Sequence, residues 1–143
     1  MKTAAQMIAD KKHKEVISIA PNRPVIDALI ILAEYKIGAL VVMDKDKMVG
    51  IFSERDYARE VVLKGKSSKV TTIEEVMTKN VLVGNGKDTF EKAMTVMTEN
   101  HIRHLPIMDG HNVIGMLSLG DVAKEMIAYQ RNLIKELEGY VKQ

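Results

Sequence analysis

Displaced by 65 residues, the chain aligns with itself without a gap, Val16 to Val62 against Val81 to Ile127. Twelve pairs are identical, among them Ala28/Ala93, Glu34/Glu99, Ile37/Ile102, Leu40/Leu105, Met43/Met108, Asp44/Asp109, Gly50/Gly115, Ser53/Ser118, Asp56/Asp121 and Ala58/Ala123. Identities gathered at turns and segment ends mark an internal duplication. Any fold for this chain is therefore one supersecondary unit built twice.

Each copy carries the same signals in the same order. A short β-type run, Val16 to Ile19 or Val81 to Val83, precedes an apolar stripe at helical spacing: Val25, Ala28, Leu29 and Leu32, matched by Phe90, Ala93, Met94 and Met97. Pro24 suits a first helical position, and Asp88 with Glu91 three residues on reads as an N-cap. Two apolar strands joined by a tight polar turn follow, Ala39 to Met43 with Met48 to Phe52, and Leu105 to Met108 with Val113 to Leu117. A second helix is expected after Asp56 and after Asp121.

The expected class is thus α/β (α+β), with two pseudo-twofold repeats of strand, helix, strand, strand, helix packed as one module. The boundaries are 1–65 for the first repeat with an N-terminal extension, 66–77 for a linker, and 78–143 for the second repeat with a C-terminal helical extension. Lys64 to Lys69 is small, polar and basic, as an exposed connection should be. A repeat of about 60 residues buries only a marginal core alone, so the pair is the expected functional unit, with two related clefts.

Composition narrows the function. With 21 Lys plus Arg against 19 Asp plus Glu in 143 residues, the net charge of +2 gives no concentrated basic face, and nucleic acid is not the expected partner. The longest apolar stretches, Ala28 to Ala33 and Ile37 to Met43, fall far short of the roughly 20 residues that span a bilayer. The N-terminus lacks the apolar run of a secretory signal. A cytoplasmic location without membrane attachment is expected. The absence of Cys excludes disulfides, thiol nucleophiles and thiolate metal sites. Ten Met and no Trp suggest a core of deformable side chains.

The two hairpin-to-helix junctions, Gly50-Ile51-Phe52-Ser53-Glu54-Arg55-Asp56 and Gly115-Met116-Leu117-Ser118-Leu119-Gly120-Asp121, fit the pattern Gly-apolar-x-Ser/Thr-x-x-Asp. Together with the strands Ile37 to Val42 and Ile102 to Ile107, they resemble the cystathionine β-synthase (CBS) domain. The whole chain resembles a stand-alone tandem pair, a Bateman module, over about residues 12 to 128. Val41 stands where the second copy has the family's more usual Pro106. Such pairs commonly bind AMP, ADP or ATP, and in some members NAD or S-adenosylmethionine, and they regulate rather than catalyse. By this resemblance Asp56 and Asp121 would each hold the two hydroxyls of a ribose. Ser53 and Ser118 would lie near ribose or phosphate, with Arg55 near phosphate. Arg103 and His104 would reach the phosphate of the nucleotide held by Asp56. Ile17 and Leu82 would line adenine, and the backbone of Ala39 and His104 would face its polar edge.

The chemistry of the motif also stands by itself. A carboxylate accepts two hydrogen bonds from a vicinal diol, and a helix start offers free N–H groups and positive potential to phosphate. Asp56 and Asp121 equally read as helix N-caps, and capping and binding are compatible. Arg59 reads as a solvated helix charge. His101 and His104 have no carboxylate or Cys to complete a metal set, so no metal is expected. Met94 and Met97 read as core. With no glycine-rich phosphate loop and no nucleophile beside a base, the chain is not expected to be an enzyme.

From Asp121 to about Glu138 the pattern is that of a long helix. Met126, Gln130, Leu133, Leu137 and Tyr140 recur at alternating four and three, with Ile127, Ile134 and Val141 beside them. A homodimer contact is the expectation, and docking on an unidentified protein effector the alternative. The leading functional reading is a regulatory adenine-nucleotide sensor that transmits its state to a partner; the other is a ligand-free dimerisation or protein-interaction module. The clefts are expected to be unequal, since Arg103-His104 of one copy faces Gly38-Ala39 of the other in the alignment. Lys12 or His13 is a candidate for the charge that the Asp121 cleft otherwise lacks.

Overall fold

The computed structural model describes residues 1–11 and 15–141. In chain order these form α1 (Ala4–Ala9), β1 (Ser18–Ile19), α2 (Val25–Tyr35), β2 (Ala39–Asp44), β3 (Lys47–Ser53) and α3 (Glu54–Asp56), which runs on as a π-helical stretch, Tyr57–Val62. Next come α4 (Ile73–Val76), β4 (Gly84–Asn85), α5 (Phe90–Glu99), β5 (His104–Asp109), β6 (Asn112–Ser118) and α6 (Leu119–Val141). Two compact units result: one of residues 15–82 with 110–113, the other of 1–11, 83–109 and 114–141. Each contains a three-stranded sheet, ordered β1-β2-β3 and β4-β5-β6.

In the β1–β3 unit, β2 is central, parallel to β1 and antiparallel to β3. Its residues Ala39, Leu40, Val41 and Val42 are all buried, which explains an apolar run without alternation. One face of α2, Val25, Ala28 and Leu32, closes over this sheet with Phe52, Val61, Ile73 and Val76. The β4–β6 unit repeats the arrangement with Phe90, Ala93 and Met97 of α5 over Leu105, Ile107, Leu117 and Val122. The strand register is duplicated as well: Ile19 opposes Val42, and Gly84 opposes Ile107, each 65 residues on. At Gly84 a Cβ would lie 2.9 Å from Ile107 Cδ1, so the glycine makes room for the larger side chains of the second core.

Element boundaries differ from the sequence reading in instructive ways. Val81 to Val83 lie outside the strand, which begins at Gly84, because only there does the chain meet β5. Pro24 is the N-cap of α2 rather than its first residue. Thr89, not Asp88, caps α5 by accepting the Lys92 N–H; the Asp88 carboxylate instead accepts the Asn85 N–H within the turn. The second helices start before the aspartates, at Glu54 and Leu119, because the preceding serines take the capping role.

The expected linker is only half a linker. Lys64 to Ser67 and Lys69 are exposed, but Thr71, Ile73 and Val76 are buried, and the Val25 N–H donates to the Thr71 carbonyl at 2.8 Å. Likewise α1 does not stay with the repeat it precedes: Ala4, Met7 and Ile8 belong to the core of the β4–β6 unit. The Ala4 and Ala5 N–H groups donate to Asp88 and Gly86, just as those of Ile73 and Glu74 donate to Arg23 and Pro21. Ala4 and Ala5 thus match Ile73 and Glu74 at a shift of 69, not 65. Each repeat lends its leading helix to the other repeat's unit, and the span from Ala4 to Ile19 is four residues longer than the matching span from Ile73 to Gly84, through a longer helix and a longer connection.

Candidate functional site

In each unit the Ser-x-x-Asp motif forms a reciprocal cap. The Asp56 N–H donates to Ser53 Oγ at 3.2 Å, and the Ser53 N–H donates back to Asp56 Oδ2 at 2.9 Å. Ser118 and Asp121 repeat this, with 3.1 Å from the Asp121 N–H to Ser118 Oγ and 2.8 Å from the Ser118 N–H to Asp121 Oδ2. The capping expectation is thereby corrected in detail: serine is the N-cap, and aspartate is the third helical residue that reaches back. This fixes both carboxylates at the mouth of a helix, half-buried, at the end of a strand.

The sheet brings further expected residues to the same mouth. Ala39 opposes Ser53 in register, the Glu54 N–H donates to the Gly38 carbonyl at 3.0 Å, and the Val41 N–H donates to the Ile17 carbonyl at 3.3 Å. Ile17, Ala39, Ser53 and Asp56 therefore share one end of the β1–β3 sheet, with exposed Arg55 on α3. In the other unit the Leu119 N–H donates to the Arg103 carbonyl at 2.8 Å, setting Arg103 and the first residue of β5, His104, beside Ser118 and Asp121. Leu82 is exposed and belongs to the β1–β3 unit, one residue short of the unit that holds Asp121.

Two residues complete these mouths that the sequence reading passed over. In the β1–β3 unit Thr78 Oγ1 donates to Asp56 Oδ1 at 3.0 Å, while the Thr78 N–H donates to the Ile51 carbonyl at 2.9 Å. In the β4–β6 unit Lys11 Nζ does both jobs, donating to Asp121 Oδ2 at 2.9 Å and to the Met116 carbonyl at 2.8 Å. Met116 and Asp121 are the 65-residue counterparts of Ile51 and Asp56. Burial works to raise the Asp121 pKa, but the Ser118 N–H and the Lys11 ammonium outweigh it and hold the carboxyl below its ordinary range. Neither residue was visible in the self-alignment, because the leading helices run four residues out of frame with the rest. Lys12 and His13, the candidates for added charge, lie outside the described residues. Among the described residues no three His, Asp or Glu side chains gather into a metal-holding group, and no helix is long and apolar enough to cross a membrane.

Comparison with known proteins agrees with this duplicated geometry. The family model for the CBS domain matches twice, at residues 8–63 and 73–128. A mitochondrial CBS domain-containing protein of Arabidopsis thaliana, CBSX3, is 36% identical over 122 residues, covering 82% of this chain and 59% of the relative; the chain thus spans well under two thirds of that protein. A putative signal-transduction protein with CBS domains from Burkholderia ambifaria has a solved structure that is 43% identical, with a TM-score of 0.85 over 89% of this chain and 95% of that one. The CBS domain pair of protein MJ0100, solved with methylthioadenosine and S-adenosyl-L-methionine, shares the fold at 24% identity and a TM-score of 0.79, covering 90% of this chain and 98% of that one. Proteins of this kind are generally regulatory rather than catalytic. With two matched copies of one model spread over most of its length, the chain belongs to the CBS domain family, as a tandem pair.

Proposed function

We propose that this chain is a regulatory module that binds adenosine-containing ligands, AMP, ADP, ATP or NAD, and passes the bound state to a partner. The observation that carries the reading is the pair of carboxylates, Asp56 and Asp121, each held at a helix mouth by its own serine cap. A carboxylate so oriented accepts both hydroxyls of a ribose, and the neighbouring helix start favours phosphate. In this reading Asp56 and Asp121 take ribose. Ser53, Arg55, Arg103, His104 and Ser118 serve phosphate, and Ile17, Ala39 and Leu82 lie against adenine. The adenosine compounds bound by the MJ0100 pair support the ligand class. No catalytic role is assigned.

The chain is further proposed to form a homodimer through α6, whose Leu133, Ile134, Leu137, Tyr140 and Val141 are exposed. Arg131 and Lys135 precede Glu136 and Glu138 along this helix, so a second copy running antiparallel sets opposite charges side by side. One observation favours the alternative of a ligand-free interaction module: both carboxylates already accept internal hydrogen bonds, so the motif is useful as a cap alone. Thermal and urea unfolding with millimolar AMP, ATP or NAD separates the two. A ligand at 100 times its dissociation constant adds about 2.7 kcal/mol. Stabilisation that disappears in an Asp56→Asn, Asp121→Asn double variant supports binding; no stabilisation by any of these ligands leaves the interaction module.

A further inference from the structure

The two aspartates are equivalent by repeat but not by charge. Thr78, which closes the Asp56 mouth, is neutral. Lys11, which closes the Asp121 mouth, brings a full positive charge, and it lies in the longer connection after α1. Its side chain and that of Asp121 are each only 29% exposed, so water does not fully screen the pair. Lys11 Nζ and the Ser118 N–H both bond to Asp121 Oδ2, so of the two hydroxyls of a diol spanning the carboxylate, the one that reaches Oδ2 competes with Lys11.

Resting on the adenosine-ligand reading above, we infer that Lys11 is a specificity-determining residue: a tethered cation that competes with the ribose hydroxyls for Asp121. An uncharged riboside engages both carboxylate oxygens of Asp121 only by weakening the Lys11 contact at Oδ2. At the Asp56 mouth it meets a hydroxyl that rotates to accept as readily as it donates. The Asp56 site is therefore the tighter one for uncharged ribosides.

The test uses adenosine as probe, with calorimetry on the full chain carrying Asp56→Asn, so that the Asp121 site is read alone. Replacing Lys11 with Met in that background is expected to tighten adenosine binding roughly two- to fivefold, the range of a partly exposed ion pair. Lys11→Arg, which keeps the charge, is expected to leave affinity unchanged. Added salt is expected to strengthen binding of this neutral ligand while Lys11 is present, by screening the competitor, and to have no effect in Lys11→Met. Lys11→Gln repeats the experiment if the Met variant unfolds. Unchanged or weaker affinity in both neutral variants, or binding indifferent to salt with Lys11 in place, overturns the inference while adenosine binding itself stands. No adenosine binding by the otherwise unaltered chain overturns the ligand reading, and this inference with it.

Discussion

The placement of α1 in the β4–β6 unit has a sharp energetic test at Ile8 and Gly115. Ile8 is 6% exposed, and a Cβ added at Gly115 would sit 2.7 Å from both Ile8 Cδ1 and Cγ2 and 3.2 Å from Cγ1. Ile8→Ala removes those three carbons. At about 0.8 kcal/mol each, transfer alone is worth about 2.4 kcal/mol, and the cavity left behind adds to it, placing the cost at about 3 kcal/mol. Gly115→Ala overpacks the same contact from the other side and should cost about 1–3 kcal/mol. Together the changes relieve each other, since the atoms the new methyl would strike are gone. The double variant is therefore expected to be no less stable than Ile8→Ala alone, a coupling of about 1–3 kcal/mol. Urea unfolding of the four proteins in the cycle measures this directly. Additive costs, or an Ile8→Ala cost below about 1 kcal/mol, would refute the placement of α1 against β6.

Three further outcomes are expected. Lys45 and Gly110 occupy equivalent hairpin turns with φ of 58° and 61°; Lys45→Gly should stabilise the protein by up to about 1 kcal/mol in urea unfolding, and Gly110→Ala should cost about as much. Because the Asp121 carboxyl is held below its ordinary range when folded, its contribution is complete above that range and is lost progressively as pH falls below it and through the lowered folded pKa. The stability gap between the unaltered chain and Asp121→Asn should therefore narrow on acidification, and a constant gap would contradict the Lys11 and Ser118 contacts. Truncation after Gln130 removes Leu133, Leu137 and Tyr140 but spares the Tyr129 ring, whose centroid lies 5.5 Å from that of Phe90. Sedimentation should then show a monomer, and an unchanged dimer would exclude α6 as the contact.

Much of this molecule was legible in one dimension. The 65-residue duplication, the two hairpins and the buried helix faces Val25-Ala28-Leu32 and Phe90-Ala93-Met97 follow from local periodicity and turn chemistry, which the sequence carries residue by residue. So does the Ser-x-x-Asp motif, because a reciprocal cap spans only four residues. What the sequence left open lies in contacts between distant segments. That Lys11 reaches Asp121, 110 residues away, and Thr78 reaches Asp56, 22 residues away, depends on each leading helix joining the other repeat's unit. That choice is made by burial of Ala4, Met7 and Ile8 in one core and Ile73 and Val76 in the other, four residues out of frame with the duplication. Sequence alone thus determined two aspartates in equivalent caps, and an expected inequality of their surroundings from Arg103-His104 against Gly38-Ala39. The difference at the carboxylates themselves came only with the tertiary structure, because hydrophobic packing of α1 and α4 decides which donor, ammonium or hydroxyl, arrives beside each one.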